Sequence, residues 1–146
     1  MDTNEGETEP VRLTPGDFVL GTLHYTAKQR AGKFVFNAND MRFHSAMKST
    51  YDRLKDRALL AGVEVGFAIA PDPIHGDSRT VHEEVSFLFS LGILRSLGGS
   101  FVQVIYSIPD SNLEYIPGFL PGSPALYEEL ATSFITAYEK PPTNIS

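Results

Sequence analysis

Two of the four histidines, His75 and His82, stand close to Asp72, Asp77, Glu83 and Glu84. An imidazole oriented by a carboxylate is the pairing a general base needs, and the same groups can hold a divalent metal. Long connections on a rigid scaffold often carry function, and residues 71–83 read as such a connection. The spacing fits no metal-ligand pattern, so no metal and no cofactor is expected, and His82-Glu83-Glu84 also reads as the ordinary polar start of a strand. The candidates for catalysis are His24, His75, Asp77, His82 and Glu83, against a plain polar loop as the alternative.

In His24-Tyr25-Thr26 a histidine and a threonine two residues apart share one face of an extended chain. The spacing resembles that of the 2H-type phosphoesterases, in which two such elements face each other, one histidine acting as base and the other as acid. The other histidines read His44-Ser45-Ala46, His75-Gly76-Asp77 and His82-Glu83-Glu84, and none completes the pair. A histidine satisfied by a cross-strand neighbour is the alternative. No nucleophile elbow, phosphate-cradling glycine loop or dinucleotide fingerprint occurs, and Gly98-Gly99 reads as a turn. The absence of cysteine excludes a disulfide framework, a zinc knuckle and a thiol nucleophile, and it fits a cytoplasmic setting.

Residues 108–123 contain three prolines and two glycines, which disfavour regular structure, yet they hold Leu113, Tyr115, Ile116, Phe119 and Leu120. Water disfavours such groups exposed together. Either the loop folds over a sheet edge and buries them, or Tyr115, Ile116, Phe119 and Leu120 form an apolar lip that docks a partner or closes a ligand pocket.

Charge narrows the partners. Four of the 18 acidic residues lie in the first ten positions, so the remainder holds 14 acids against 12 bases, a formal charge of −2. That balance offers no electrostatic footprint for nucleic acid. The most apolar stretch, residues 85–97, is interrupted by Ser86, Ser90, Gly92, Arg95 and Ser96, so no membrane span is expected. An acidic inhibitor or immunity-type protein would need Asp52, Asp56, Glu64, Glu83 and Glu84 grouped in one patch.

The elements that must position these residues follow from periodicity. Residues 18–27 alternate as a strand covered on both faces, and residues 33–36 return as its hairpin partner. Asn37 or Asn39 caps a helix whose apolar face is Phe43, Met47, Tyr51, Leu54, Ala58 and Ala61, and Gly62 ends it. A strand over 63–69 stops at Pro71 and Pro73. Over 81–97, Val81, Val85 and Leu88 permit a helix, but the alternation of Val85, Phe87, Phe89, Leu91 and Ile93 favours a strand. A last strand covers residues 101–108. Ser123-Pro124 opens a final helix with Leu126 or Tyr127, Leu130, Phe134, and Ala137 or Tyr138 inside.

The expected fold is α+β, a mainly antiparallel five-stranded sheet in the order ββαβββα with helices packed on it. One domain covers 13–140, between an acidic disordered tail at 1–12 and a flexible tail at 141–146. Over roughly residues 17–139 this order resembles the profilin-like folds, which include longin and roadblock domains. The resemblance implies binding of proteins or small ligands rather than catalysis. The expected function is a non-enzymatic binding module that engages a protein partner or small ligand through the apolar loop and a sheet face. A small hydrolase using His24, His75 or His82 is the alternative. If residues 33–36 form an edge strand, with Lys33 as its guarding charge, homodimerisation through that edge is a further route.

Overall fold

The computed structural model describes residues 11–37, 40–71, 78–97, 100–107 and 120–139. Along the chain lie β1 (Val11–Leu13), α1 (Pro15–Gln29), β2 (Lys33–Asn37), α2 (Met41–Ala61), β3 (Val63–Val65), α3 (Arg79–Ser90), β4 (Leu94–Leu97), β5 (Ser100–Ser107) and α4 (Pro124–Glu139). Val11 and Arg12, expected in the tail, belong to β1.

The stretch read as the first strand is α1. Its start is a capping box: the Thr14 hydroxyl accepts from the Asp17 amide at 3.1 Å, and the Asp17 carboxylate accepts from the Thr14 amide at 3.0 Å. Pro15 takes the first helical turn, where its missing N–H is no loss. Every residue from Gly21 to Ala27 is buried. A helix enclosed on all sides has no polar face, so its pattern cannot be told from that of a strand covered on both sides. Around it lie α4, α3, β2 and β5.

The second correction concerns residues 79–90, also a helix. The Ser78 hydroxyl accepts from the Val81 amide at 3.3 Å and caps α3. Val81, Val85 and Leu88, spaced four and three apart, turn inward. Gly92, at φ +77°, leaves the helix in the left-handed conformation that suits glycine.

With two expected strands become helices, the five-stranded antiparallel sheet and the profilin-like order both fall. The described strands form a parallel pair, β1 with β3 (Val11 opposite Val63, Leu13 opposite Val65), and a separate three-stranded sheet in the order β2-β5-β4. In the latter, β5 runs antiparallel to both neighbours, with Val35 opposite Ile105. The hairpin expected between residues 18–27 and 33–36 is absent; β2 pairs instead with β5, nearly 70 residues downstream.

Helix α2 follows its expected spacing, although Asp40 caps it, the Asp40 carboxylate accepting from the Arg42 amide at 2.9 Å. Gly62 ends it at φ +70°. Helix α4 opens with the Ser123 hydroxyl accepting from the Leu126 amide at 3.3 Å. It packs along α2 and α1, and Phe34, Phe36, Phe43, Phe134 and Tyr138 join β2, α2 and α4 in one aromatic cluster. Within it the Phe36 and Phe43 rings stack at 4.6 Å.

Candidate functional site

Because α1 is a helix, the His24 and Thr26 directions differ by about 200° rather than coinciding as on a strand. The face that a phosphate would need does not form, and both residues are fully buried. Burial, with a smaller contribution from Lys28, pulls the His24 imidazole down from its ordinary 6.5 to about 4. The ring lies against Tyr25, whose other neighbours are Tyr127, stacked at 5.8 Å, and the Lys28 ammonium at 5.0 Å. A neutral ring without solvent contact has no means of exchanging protons with a substrate arriving from water.

Helix α3 carries the next two candidates. Glu83 points outward and pairs with Arg79 at 3.1 Å, an exposed interaction one turn along the helix. His82 is half-buried, with its ring centroid 4.4 Å from that of His44 on α2. His44 itself is fully buried, and its Nδ1 accepts the backbone N–H of Ser78 at 3.1 Å. The structure therefore brings His82 to His44. The residues themselves carried a signal for this pair, since each histidine adjoins the apolar stripe of its helix, beside Phe43 and beside Val81. His75 and Asp77 lie outside the described residues. Among the described residues no three groups converge to hold a metal ion. A neutral His44 that accepts at Nδ1 carries its proton on Nε2, which occupies both ring nitrogens.

Of the proposed apolar lip, Tyr115, Ile116 and Phe119 lie outside the described residues. Leu120, 8% exposed, belongs to the core instead of a docking surface. It is held there by the approach to α4, where Tyr127 donates its hydroxyl proton to the Pro121 carbonyl.

The exposed apolar groups are elsewhere. A helix over 79–90 turns Val81, Val85 and Leu88 inward and leaves Phe87 and Leu91, one turn apart, 55% and 56% exposed. As a strand the same segment would have put Phe87 and Leu91 on the side of Val85. Near the end of α2, Leu59 and Leu60 are 91% and 84% exposed. Strand β2 is an edge of its sheet among the described strands, with Lys33 and Val35 outward and Phe34 and Phe36 inward.

A shallow groove of about 730 Å³ runs between α2 and α4, lined by Ser45, Ser49, Arg53, Glu129, Ser133 and Thr136 among others. On its floor Glu129 receives Arg57 at 2.7 Å and Arg53 at 2.8 Å. Those guanidinium groups, Arg57 foremost by its hydrogen bond, hold the Glu129 carboxyl below the usual carboxylate range. Its lining side chains are small, hydroxylated or charged, and no aromatic ring is among them.

The acids that an inhibitor would group are dispersed. Asp52 pairs with Lys48 at 2.7 Å and Glu64 with Arg12 at 3.5 Å, on α2 and β3 respectively. Glu84 is half-buried near Gly16 at the start of α1, where burial, then Glu83 and Asp17, raise its carboxyl above the usual range. No described helix is long and apolar enough to cross a membrane. Compared with known protein families, with curated proteins and with solved structures, the chain matches none.

Proposed function

We propose that this chain is a non-enzymatic binding module that engages a protein partner, with the outer face of α3 as part of the contact. The observation that supports this reading is the pair Phe87 and Leu91, more than half exposed and adjacent on one helical face. Covering the remaining area of both would contribute roughly 2 kcal/mol. The arrangement suits a partner that places an apolar side chain between them, as aromatic anchors do at interface centres. The enclosed, neutral His24 and the pairing of Glu83 with Arg79 weigh against the hydrolytic alternative at those two residues. The cysteine-free composition agrees with a reducing compartment such as the cytoplasm.

The test is affinity capture from the native host with the wild type, with a Phe87→Asp/Leu91→Asp variant and with a Leu59→Asp/Leu60→Asp variant, all matched for helical content by circular dichroism. The α3 variant is expected to lose the captured partner while the α2 variant keeps it. Undiminished capture by a folded α3 variant removes that helix from the interface. Phe119→Asp tests the loop at 108–123 in the same assay and is expected to weaken capture without unfolding the chain.

A further inference from the structure

Strand β2 reads nearly the same in both directions about Val35: Lys33-Phe34-Val35-Phe36-Asn37. Such a strand can pair antiparallel with a second copy of itself, Val35 lying on the two-fold axis, Phe34 opposite the other Phe36 and Lys33 opposite the other Asn37. Lys33 is no guard in this register, because it meets a neutral Asn37 rather than a second lysine. An edge of this kind is a template for joining two sheets.

The hydrogen bonds at its ends decide what the edge can offer. The Asn37 N–H donates to the Tyr138 hydroxyl at 3.2 Å, and the Asn37 carbonyl accepts from the Asp40 amide at 3.1 Å. In an antiparallel ladder alternate residues turn both backbone groups to the same side. Asn37 therefore faces away from β5 together with Val35 and Lys33, and Phe34 and Phe36 bond to β5. Self-pairing needs each Lys33 to exchange its two bonds with the Asn37 of the other copy. The chain has already committed both groups of Asn37, and at the other end the Lys33 amide donates to the Arg30 carbonyl at 3.5 Å.

We propose that the last turn of α4 is a strap across the β2 edge, with Tyr138 as its pin, and that it keeps β2 from pairing with a second copy of this chain. The pin is held from several sides. The Tyr138 ring stacks on Phe134 at 5.7 Å, meets Phe34 edge-on at 5.8 Å and lies 5.3 Å from the Arg42 guanidinium. Beside it Glu139 pairs with Arg30. Arg30 precedes β2 and Arg42 follows it, so the strap is tied to the chain at both ends of the strand it covers. The inference concerns β2 and is independent of the docking face on α3.

Three variants of the full chain test it. In Tyr138→Phe, which keeps the ring and loses the hydroxyl, the Asn37 amide is expected to exchange hydrogen roughly tenfold faster while the Phe36 amide is unchanged. An unaltered Asn37 amide defeats the pin. Tyr138→Ser removes the ring, and sedimentation velocity across a concentration series should reveal a dimer that the wild type does not form at the same concentrations. Adding Val35→Lys sets like charges across the axis and should abolish that dimer. Arg30→Ala/Arg42→Ala loosens the strap from its exposed side and should dimerise as well, which decides the matter where Tyr138→Ser does not fold. A folded strap variant that associates no more than the wild type, or a dimer indifferent to Val35→Lys, overturns the proposal.

Discussion

At position 21 a single hydrogen stands where any other residue would place a carbon. A Cβ on Gly21 would lie 2.4 Å from two ring carbons of Tyr127, well inside van der Waals contact. That ring also stacks on Tyr25 and its hydroxyl is bonded to the Pro121 carbonyl, which limits its room to retreat. Gly21→Ala is expected to destabilise the fold by about 1 to 3 kcal/mol despite alanine's better helix propensity. In urea unfolding, Gly21→Ala combined with Tyr127→Leu should cost less than the sum of the single changes. Strict additivity would mean that the ring does not rest on residue 21. Residue-scale chemistry was legible only in part. His24 stands out in the sequence by its spacing to Thr26, but its burial and its contact with Tyr25 follow from a helix where the pattern alone suggests a strand. The amide that donates to the His44 ring lies 34 positions away, which no local pattern around His44 signals.

Helix and strand are distinguished by their ends when their middles are ambiguous, and α1 shows it. The pattern Thr14-Pro15-Gly16-Asp17 contains the cap, the first-turn proline and the reciprocal acid of a helix start, while the apolar run behind it carries no usable period. Thr14→Ala removes the hydroxyl that accepts the Asp17 amide and should cost about 1 kcal/mol by chemical denaturation, with Thr14→Ser close to wild type. A neutral Thr14→Ala would place the start of α1 under the control of packing alone. Helix α3 repeats the lesson, since Ser78 and the inward spacing of Val81, Val85 and Leu88 outweigh five alternating apolar residues. By contrast the apolar face and the end of α2 are readable, though not its cap, because its charged outer face leaves a clean apolar stripe on the other side.

For the molecule as a whole, the buried His24 links folding to pH. The unfolded chain takes up a proton near pH 6.5 and the folded chain only near 4, so the unfolded state binds more protons between those values. Stability from this group is complete above 6.5 and declines as pH falls toward 4, by about 2 kcal/mol between pH 7 and 4.5. His24→Leu should flatten that part of the stability curve in denaturant titrations at a series of pH values, and an unaltered slope would assign the acid lability elsewhere. The division into two small sheets escaped the sequence because pairing partners are remote: Val11 meets Val63, and Val35 meets Ile105. The same remoteness bears on how the chain comes together during synthesis. Helix α1 leaves the ribosome ahead of the elements that enclose it, and α4, which covers it most extensively, is the last. Until α4 emerges, the most deeply buried of the described helices stands without its cover, so a nascent or truncated chain offers chaperones a ready target. Completion of α4 is then the event that withdraws it.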